Sequence, residues 1–151
     1  MLATYRTLTE QLEKQYTLFI VNRKYKDIHW AGKPAEYLAE QQRVAEEISK
    51  LSKRAEEKIK ADMATFWPDL EVVAYDSRTF SLADDRLGAI LVRGLKKTSE
   101  CLDVEAVFQS QTGYKLTVTR IEDLDEETRK KVEEALREEE ESNGRQREER
   151  A

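Results

Sequence analysis

Few residues of this chain could carry out catalytic chemistry. The sequence of 151 residues holds one histidine, His29, and one cysteine, Cys101. A single imidazole and a single thiol cannot supply the paired His or Cys ligands of a zinc site. No basic neighbour in the sequence would lower the pKa of Cys101, so we expect a structural thiol rather than a nucleophile. For His29 we expect a packed or solvent-facing loop residue.

Two short motifs match binding sites only in part. Asp84 and Asp85 could hold a hard cation, but Mg²⁺ and Ca²⁺ need several oxygens brought together in space, so we expect a turn. The run from Gly88 to Thr98 approaches a phosphate-binding loop, yet five residues separate Gly88 from Gly94 where that loop has four. The backbone cradle depends on that spacing. We therefore expect no catalytic residue, no metal site and no cofactor.

The strongest pattern in the chain predicts one long helix from Pro34 to Trp67. Proline suits a first helical turn, and Pro68 prevents the helix from continuing. Apolar residues recur at steps of three and four, which is the period of an α-helix with one apolar face. They are Val44, Ile48, Leu51, Ala55, Ile59, Met63 and Phe66.

The length of this helix predicts that one end projects. Residues 35–66 would span roughly 48 Å at 1.5 Å per residue, whereas a compact globule of about 140 residues is only roughly 37 Å across. The apolar face also needs a partner. The preceding segment, with Tyr5, Leu8, Leu12, Tyr16 and Phe19 at helical spacing and a capping box at Thr7 and Glu10, predicts an antiparallel helical hairpin with a loop around 26–33. Self-association of the long helix is the alternative.

The chain after Pro68 changes to β-branched and aromatic residues broken by turn signals. We predict strands at 70–75, 80–83, 88–95, 104–109 and 114–121, with 89–92 central in a small, mostly antiparallel sheet. Apolar and polar residues alternate in 104–109 and in 114–121. With Gly113 between the two runs, this pattern predicts a β-hairpin. Asp123 or Asp125 should cap a last helix that ends near Glu140.

These elements predict an α+β fold in three regions. Residues 1–67 form the helical hairpin, and residues 68–140 form the sheet with the C-terminal helix packed on it, in one structural domain with 1–67. Residues 141–151, almost wholly charged or polar, are expected to be a disordered tail. The net charge of −5 is uneven: six Lys/Arg against three Asp/Glu give +3 for 1–34, and seven against twelve give −5 for 123–151.

Composition narrows the class of protein further. No run approaches 18 apolar residues and the N-terminus lacks an apolar signal-peptide core, so we expect no membrane partner. One cysteine agrees with a reducing cytoplasm. We expect a cytoplasmic regulator, adaptor or inhibitor that acts by binding, without catalysis.

The first binding hypothesis is a protein-interaction module in which the helical hairpin, or one exposed sheet edge, docks onto another protein or a second copy of this chain. Tyr25, Trp30 and Tyr37 cluster near the predicted hairpin end, and aromatic side chains are frequent anchors at interfaces. Lys24 and Lys26 would supply charge. Trp30 and Tyr37 could instead cover the hairpin's own core, in which case replacing Trp30 by alanine would lower the melting temperature strongly.

The alternative hypothesis is nucleic-acid binding through basic residues. Phosphate contact requires clustered positive charge, and aromatic side chains stack on single-stranded bases. A second basic group on the long helix is interleaved with glutamates that largely cancel its field. The candidate residues of the two groups are Arg23, Lys24, Lys26, Lys33, Lys50, Lys53 and Arg54.

Overall fold

The computed structural model describes the backbone of residues 4–150 and the side chains of residues 4–141. Its helices are α1 (Tyr5–Lys24), α2 (Lys26–His29), α3 (Pro34–Phe66), α4 (Glu100–Thr112) and α5 (Glu126–Arg150), with one 3₁₀ turn at Ile121–Asp123. The strands are β1 (Glu71–Asp76), β2 (Arg86–Arg93) and β3 (Lys115–Arg120). Residues 141–151 were predicted to form a disordered tail. Almost all of their side chains lie outside the described part of the protein, so this stays a prediction.

The N-terminal helical hairpin and its long helix are confirmed. Helix α3 begins at Pro34 and ends just before Trp67, and α1 packs along it. The apolar face of α3 is buried from Val44 to Met63, as the periodicity predicted. Near the loop, the Gln41 Nε2 donates a hydrogen bond to the Phe19 carbonyl oxygen at 3.1 Å, which ties the two antiparallel helices together.

The predicted capping box of α1 is wrong. The helix begins earlier than that box requires, and the Thr4 side chain accepts a hydrogen bond from the backbone N–H of Thr7 at 3.1 Å. Glu10 pairs with Arg6 at 3.1 Å instead of reaching back to Thr7. Since an N-cap hydroxyl satisfies a free N–H of the first turn, Thr4 fulfils the role assigned to Thr7.

The sheet is mixed rather than mostly antiparallel. Strand β2 lies in the centre, as predicted for 89–92, and pairs antiparallel with β1 and parallel with β3. The parallel pair follows from the segment between β2 and β3, because two parallel neighbours need a crossover connection. That connection is helix α4.

The predicted β-hairpin at 104–109 and 114–121 is therefore wrong in its first half. Residues 104–109 lie in α4, where Cys101, Val104 and Phe108 are buried at helical spacing. Gly113 adopts φ 80° and ends α4 as a left-handed cap, so this glycine marks a helix terminus and not a hairpin turn. Residues 80–83, predicted as a strand, form a turn with one bridge between Ser81 and Arg86.

Hairpin and sheet share one hydrophobic core. Tyr5 of α1 contacts Phe108 of α4 edge-to-face, with ring centroids 5.9 Å apart. The Tyr5 hydroxyl donates a hydrogen bond to Asp62 at 2.5 Å, and burial together with this carboxylate raises the tyrosine pKa. The buried side chains of this core are Tyr5, Ile59, Met63, Val72, Leu87, Ile90, Val92, Leu95, Cys101, Val104, Phe108, Leu116 and Val118.

Helix α5 follows the sheet and is capped by Asp125, one of the two predicted caps. The Asp125 carboxylate accepts a hydrogen bond from the backbone N–H of Thr128 at 2.6 Å. The helix extends past the predicted end at Glu140 to Arg150. Val132 and Leu136 are half-buried, whereas most of the other described side chains of α5 are exposed.

Candidate interaction surface

The end of the hairpin, residues 20–38, exposes an unusual amount of apolar surface. We call this segment the hairpin tip. Ile28 is 79% exposed, Leu38 65% and Ile20 54%. Of the seven large apolar side chains that are exposed in the described part of the chain, five lie in the hairpin tip. They are Ile20, Val21, Tyr25, Ile28 and Leu38, and the other two, Leu102 and Val107, lie on α4.

The hairpin tip is exposed because the rest of the fold covers the other end of the hairpin. The Tyr16 hydroxyl and the Ser52 hydroxyl both hydrogen-bond to Ser77, which follows β1. The Tyr16 ring also stacks on Phe80, with centroids 5.3 Å apart. Both helices continue from this contact toward the loop, so apolar residues outside their mutual interface face solvent there.

The structure brings the three predicted aromatic residues together. Trp30 and Tyr37 meet edge-to-face with ring centroids 6.2 Å apart. Tyr25 and Trp30 line one cleft of about 260 Å³ together with Val21, Asn22, Ile28 and His29. A second cleft of about 350 Å³ is also lined by Trp30 and includes Tyr37 and Lys26. Trp30 and Tyr37 are half-buried, and Tyr25 is 43% exposed.

The indole N–H of Trp30 is buried without a hydrogen-bond acceptor in the described part of the protein. An unsatisfied buried donor costs roughly 1–3 kcal/mol.

Lys24 and Lys26, predicted to supply charge, lie against the aromatic rings. The Lys24 Nζ is 5.6 Å from the centre of the Tyr25 ring, and the Lys26 Nζ is 5.2 Å from that of Tyr37. A cation above an aromatic ring is attracted by the negative face of the ring. Of the two lysines, Lys26 also lines the second cleft.

The hairpin tip is basic on an acidic chain. Four Lys/Arg against two Asp/Glu give it a net charge of +2, whereas the whole chain carries −5. The four cations are all exposed. They are Arg23, Lys24, Lys26 and Lys33, and the two carboxylates are Asp27 and Glu36.

The second predicted basic group does not join the first. Lys50, Lys53 and Arg54 are exposed on α3. Because α3 is continuous, the helical rise places Lys50 roughly 24 Å from Pro34 at the hairpin tip. A nucleic acid would therefore have to span both groups along the helix.

Sequence reasoning missed the apolar members of the hairpin tip. Ile20, Val21, Ile28 and Leu38 are neither aromatic nor charged, so the pattern of aromatic and basic residues does not include them. Their positions in the sequence could have indicated their exposure. Leu38 lies off the buried face of α3, and Ile28 lies in the short helix α2 rather than in α1. Apolar residues outside the helical stripe are those that the hairpin cannot bury.

A second surface lies between α3, β1 and α5, which we call the C-terminal cleft. It encloses about 520 Å³ and is lined in part by the apolar side chains of Val72, Val73 and Leu136. Five carboxylates against three cations give its lining a net charge of −2. The carboxylates are Glu56, Glu71, Glu133, Glu139 and Glu140, and the cations are Lys60, Arg93 and Arg137.

The remaining residues considered for chemistry are dispersed. His29 is exposed beside Trp30, and Cys101 is buried, with its thiol pKa raised by that burial. Asp84 and Asp85 lie in the turn before β2. Among the residues that the structure describes, no three His, Cys, Asp or Glu side chains are placed to hold a metal ion.

The run from Gly88 to Thr98 begins inside β2, and only its last part, from Gly94 onward, lies in the loop between β2 and α4. The backbone N–H groups of Lys96 and Lys97 both donate to the Glu100 carboxylate, at 3.1 and 2.9 Å. Glu100, the first residue of α4, therefore places its own carboxylate next to these two amides.

Within residues 4–150, no helix combines the length and the apolar character needed to cross a membrane. Comparison with protein-family models, with curated protein sequences and with solved structures finds no match.

Proposed function

We propose that this protein is a non-enzymatic interaction module that binds another protein through its hairpin tip. The observation that carries the proposal is the concentration of exposed apolar side chains in residues 20–38. Each square ångström of apolar surface left in water costs about 25 cal/mol. Grouped exposed apolar side chains with aromatic neighbours are typical of protein-interaction sites.

The arrangement of the hairpin tip supports binding rather than catalysis. Tyr25 and Trp30 line a largely apolar cleft, and no carboxylate of the described residues lines it. Apolar anchors with charged residues at the edge are the usual composition of a protein interface, in which the core is apolar and the rim is polar. Lys24 and Lys26 would form part of such a rim.

A pull-down from source-cell lysate tests this proposal, run with and without nuclease. Ile28→Glu places a charge in the hairpin tip at a 79% exposed position, so we expect it to retain the fold and lose the partner. The matched control is Leu102→Glu, a 70% exposed apolar residue on α4, which should retain the partner. A partner that both variants retain equally would contradict the proposal.

Nucleic-acid binding is the second candidate, and the four exposed cations of the hairpin tip favour it. Each phosphate contact releases counterions, so affinity should fall steeply as salt rises. Lys24→Glu and Lys26→Glu should then weaken binding of a single-stranded oligonucleotide, whereas Ile28→Glu should matter less. A flat salt response would exclude this candidate.

A further inference from the structure

Two surfaces of this chain carry opposite net charge, and apolar side chains contribute to both. The hairpin tip projects, exposes apolar side chains and carries a net charge of +2. The C-terminal cleft is concave, contains Val72, Val73 and Leu136, and carries a net charge of −2. Complementary charge favours encounter of two surfaces, and burial of apolar side chains adds to the binding free energy.

We infer that the hairpin tip of one copy docks into the C-terminal cleft of a second copy. The inference rests on the proposed function, because it names the protein that the hairpin tip binds. Ile28 and Tyr25 would meet the apolar part of the cleft. Lys24 would face the acidic side chains of α5, among them Glu139 and Glu140.

A chain cannot fill its own cleft. Pro34 at the hairpin tip and Glu56 in the cleft belong to one continuous helix, and the helical rise places them roughly 33 Å apart. A helix that is packed along its length does not fold back on itself. The occupant must therefore come from another molecule.

Other modes of self-association are less favourable. The apolar face of α3, including Leu51 and Ile59, is buried inside the monomer and offers no surface for pairing of long helices. Contact between two hairpin tips would place two groups of net charge +2 against each other, and like charges across an interface oppose binding. Docking into the acidic cleft requires neither exposure of the buried face of α3 nor contact between like charges.

Sedimentation of the full chain over a range of concentrations is the first measurement. We expect the weight-average mass to rise above that of the monomer with concentration. Raising salt from about 0.1 M to about 1 M shortens the screening length from about 10 Å to about 3 Å. The association should weaken under that change but persist, because its apolar contacts are not screened.

Complementation of two variants is the decisive experiment. The first, Ile28→Glu with Lys24→Glu, changes the hairpin tip, and the second, Glu139→Lys with Glu140→Lys, changes the cleft. All four side chains are exposed, so the folds should survive, which circular dichroism and thermal melting verify. Each variant alone should associate about tenfold more weakly or worse.

A mixture of the two variants should restore a dimer. The second variant retains an intact tip and the first an intact cleft, so one contact can form between them and no further molecule can add. Leu102→Glu should associate like the unchanged protein. The inference is overturned if the unchanged protein stays monomeric, or if the mixture sediments no faster than its components.

The same variants separate this inference from the proposed function. If the unchanged protein is monomeric but Ile28→Glu still loses a partner from lysate, self-docking is wrong and the interaction module stands. If Ile28→Glu affects neither self-association nor partner capture, both proposals fail. Binding of the hairpin tip to anionic lipid vesicles in place of a second copy would also overturn the docking inference.

Discussion

The Ser52 hydroxyl oxygen on α3 lies 2.7 Å from the hydroxyl oxygen of Ser77, the residue that follows β1. The Tyr16 hydroxyl of α1 lies 2.9 Å from the same Ser77 oxygen. One buried serine therefore joins both helices of the hairpin to the sheet. The hairpin tip, residues 20–38, lies beyond this connection on the side of the loop.

Replacing Ser77 by alanine should destabilise the protein. The hydroxyls of Ser52 and Tyr16 would each lose a partner in a site where Ser77 is only 5% exposed. A buried polar group left without a partner costs roughly 1–3 kcal/mol. Urea denaturation measures the change in the free energy of unfolding.

The control for this experiment is Ser49→Ala, an exposed serine on the same helix. A surface substitution of this kind should change stability by no more than about 0.5 kcal/mol. Equal effects of the two substitutions would mean that the Ser77 hydrogen bonds do not stabilise the junction.

Gly88→Ala should destabilise the protein by about 3 kcal/mol or more, because it introduces both strain and a clash. Gly88 adopts φ +138°, and an added Cβ would lie 2.3 Å from the Asp76 carbonyl oxygen in the neighbouring strand. Gly32 in the hairpin loop also has a positive φ, +75°, but an added Cβ there meets no atom within 4 Å.

Gly32→Ala is therefore the matched comparison for Gly88→Ala, with an expected loss of about 1–2 kcal/mol for the left-handed backbone alone. Thermal melting of both variants provides the measurement. A smaller loss for Gly88→Ala than for Gly32→Ala would contradict the close approach of β1 and β2 at this position.

Two substitutions of Trp30 should change the stability of the protein by amounts that differ in sign or size. Trp30→Phe retains a ring against Tyr37 and removes the buried N–H that has no acceptor. Its stability should be unchanged or slightly higher, since the unsatisfied donor is gone. Trp30→Ala removes the packing as well and should cost about 1–2 kcal/mol, less than a fully buried aromatic residue.

Melting temperatures of the two Trp30 variants, read beside partner binding, distinguish the roles left open by the sequence. Loss of binding in Trp30→Phe without loss of stability would identify the indole N–H as a contact. A large loss of stability in Trp30→Phe would show that the N–H has an acceptor.

The Arg120–Asp123 pair should make stability depend on pH in the acid range. Two Arg120 N–H groups donate to the Asp123 carboxylate at 2.8 and 3.0 Å, and they hold the pKa of that carboxyl below its usual value. An aspartate in the unfolded chain has a pKa of about 3.9. The pair therefore stabilises the fold above about pH 3.9, and this stabilisation is lost as the pH falls through the lower folded pKa.

Asp123→Asn tests this dependence. The variant should be less stable than the unchanged protein at pH 7, and the difference should shrink as the pH is lowered below about 3.9. Urea denaturation at several pH values measures it, with exposed Glu122→Gln as the control. A difference that stays constant with pH would show that the ion pair does not cause it.

Local patterns predicted several elements well because the relevant forces act over a few residues. Pro34 and Pro68 restrict their own backbone dihedral angles. The apolar residues between them form one helix face, and a single partner helix, α1, packs against it. Central strand β2 was recognisable because a strand with no exposed side chain on either face is rich in apolar residues.

The prediction of a strand at 104–109, where the structure has helix α4, is wrong for a specific reason. Val104 and Phe108 stand four residues apart, with Ala106 between them, so they satisfy both a strand's alternation and a helix's period. Gly113 ends either a hairpin turn or a helix. Packing of Phe108 against Tyr5, far away in the sequence, is a contact that local pattern could not supply.

By itself the sequence determined the helical hairpin, the α+β class, the central strand and the basic and aromatic character of residues 23–37, because these depend on residue type and short-range spacing. Only the tertiary structure decided which apolar residues remain uncovered. Ile20, Val21, Ile28 and Leu38 are exposed because the sheet contacts the hairpin at its other end, near Tyr16 and Ser52. Exposure depends on how far one element extends along another, which no local pattern encodes.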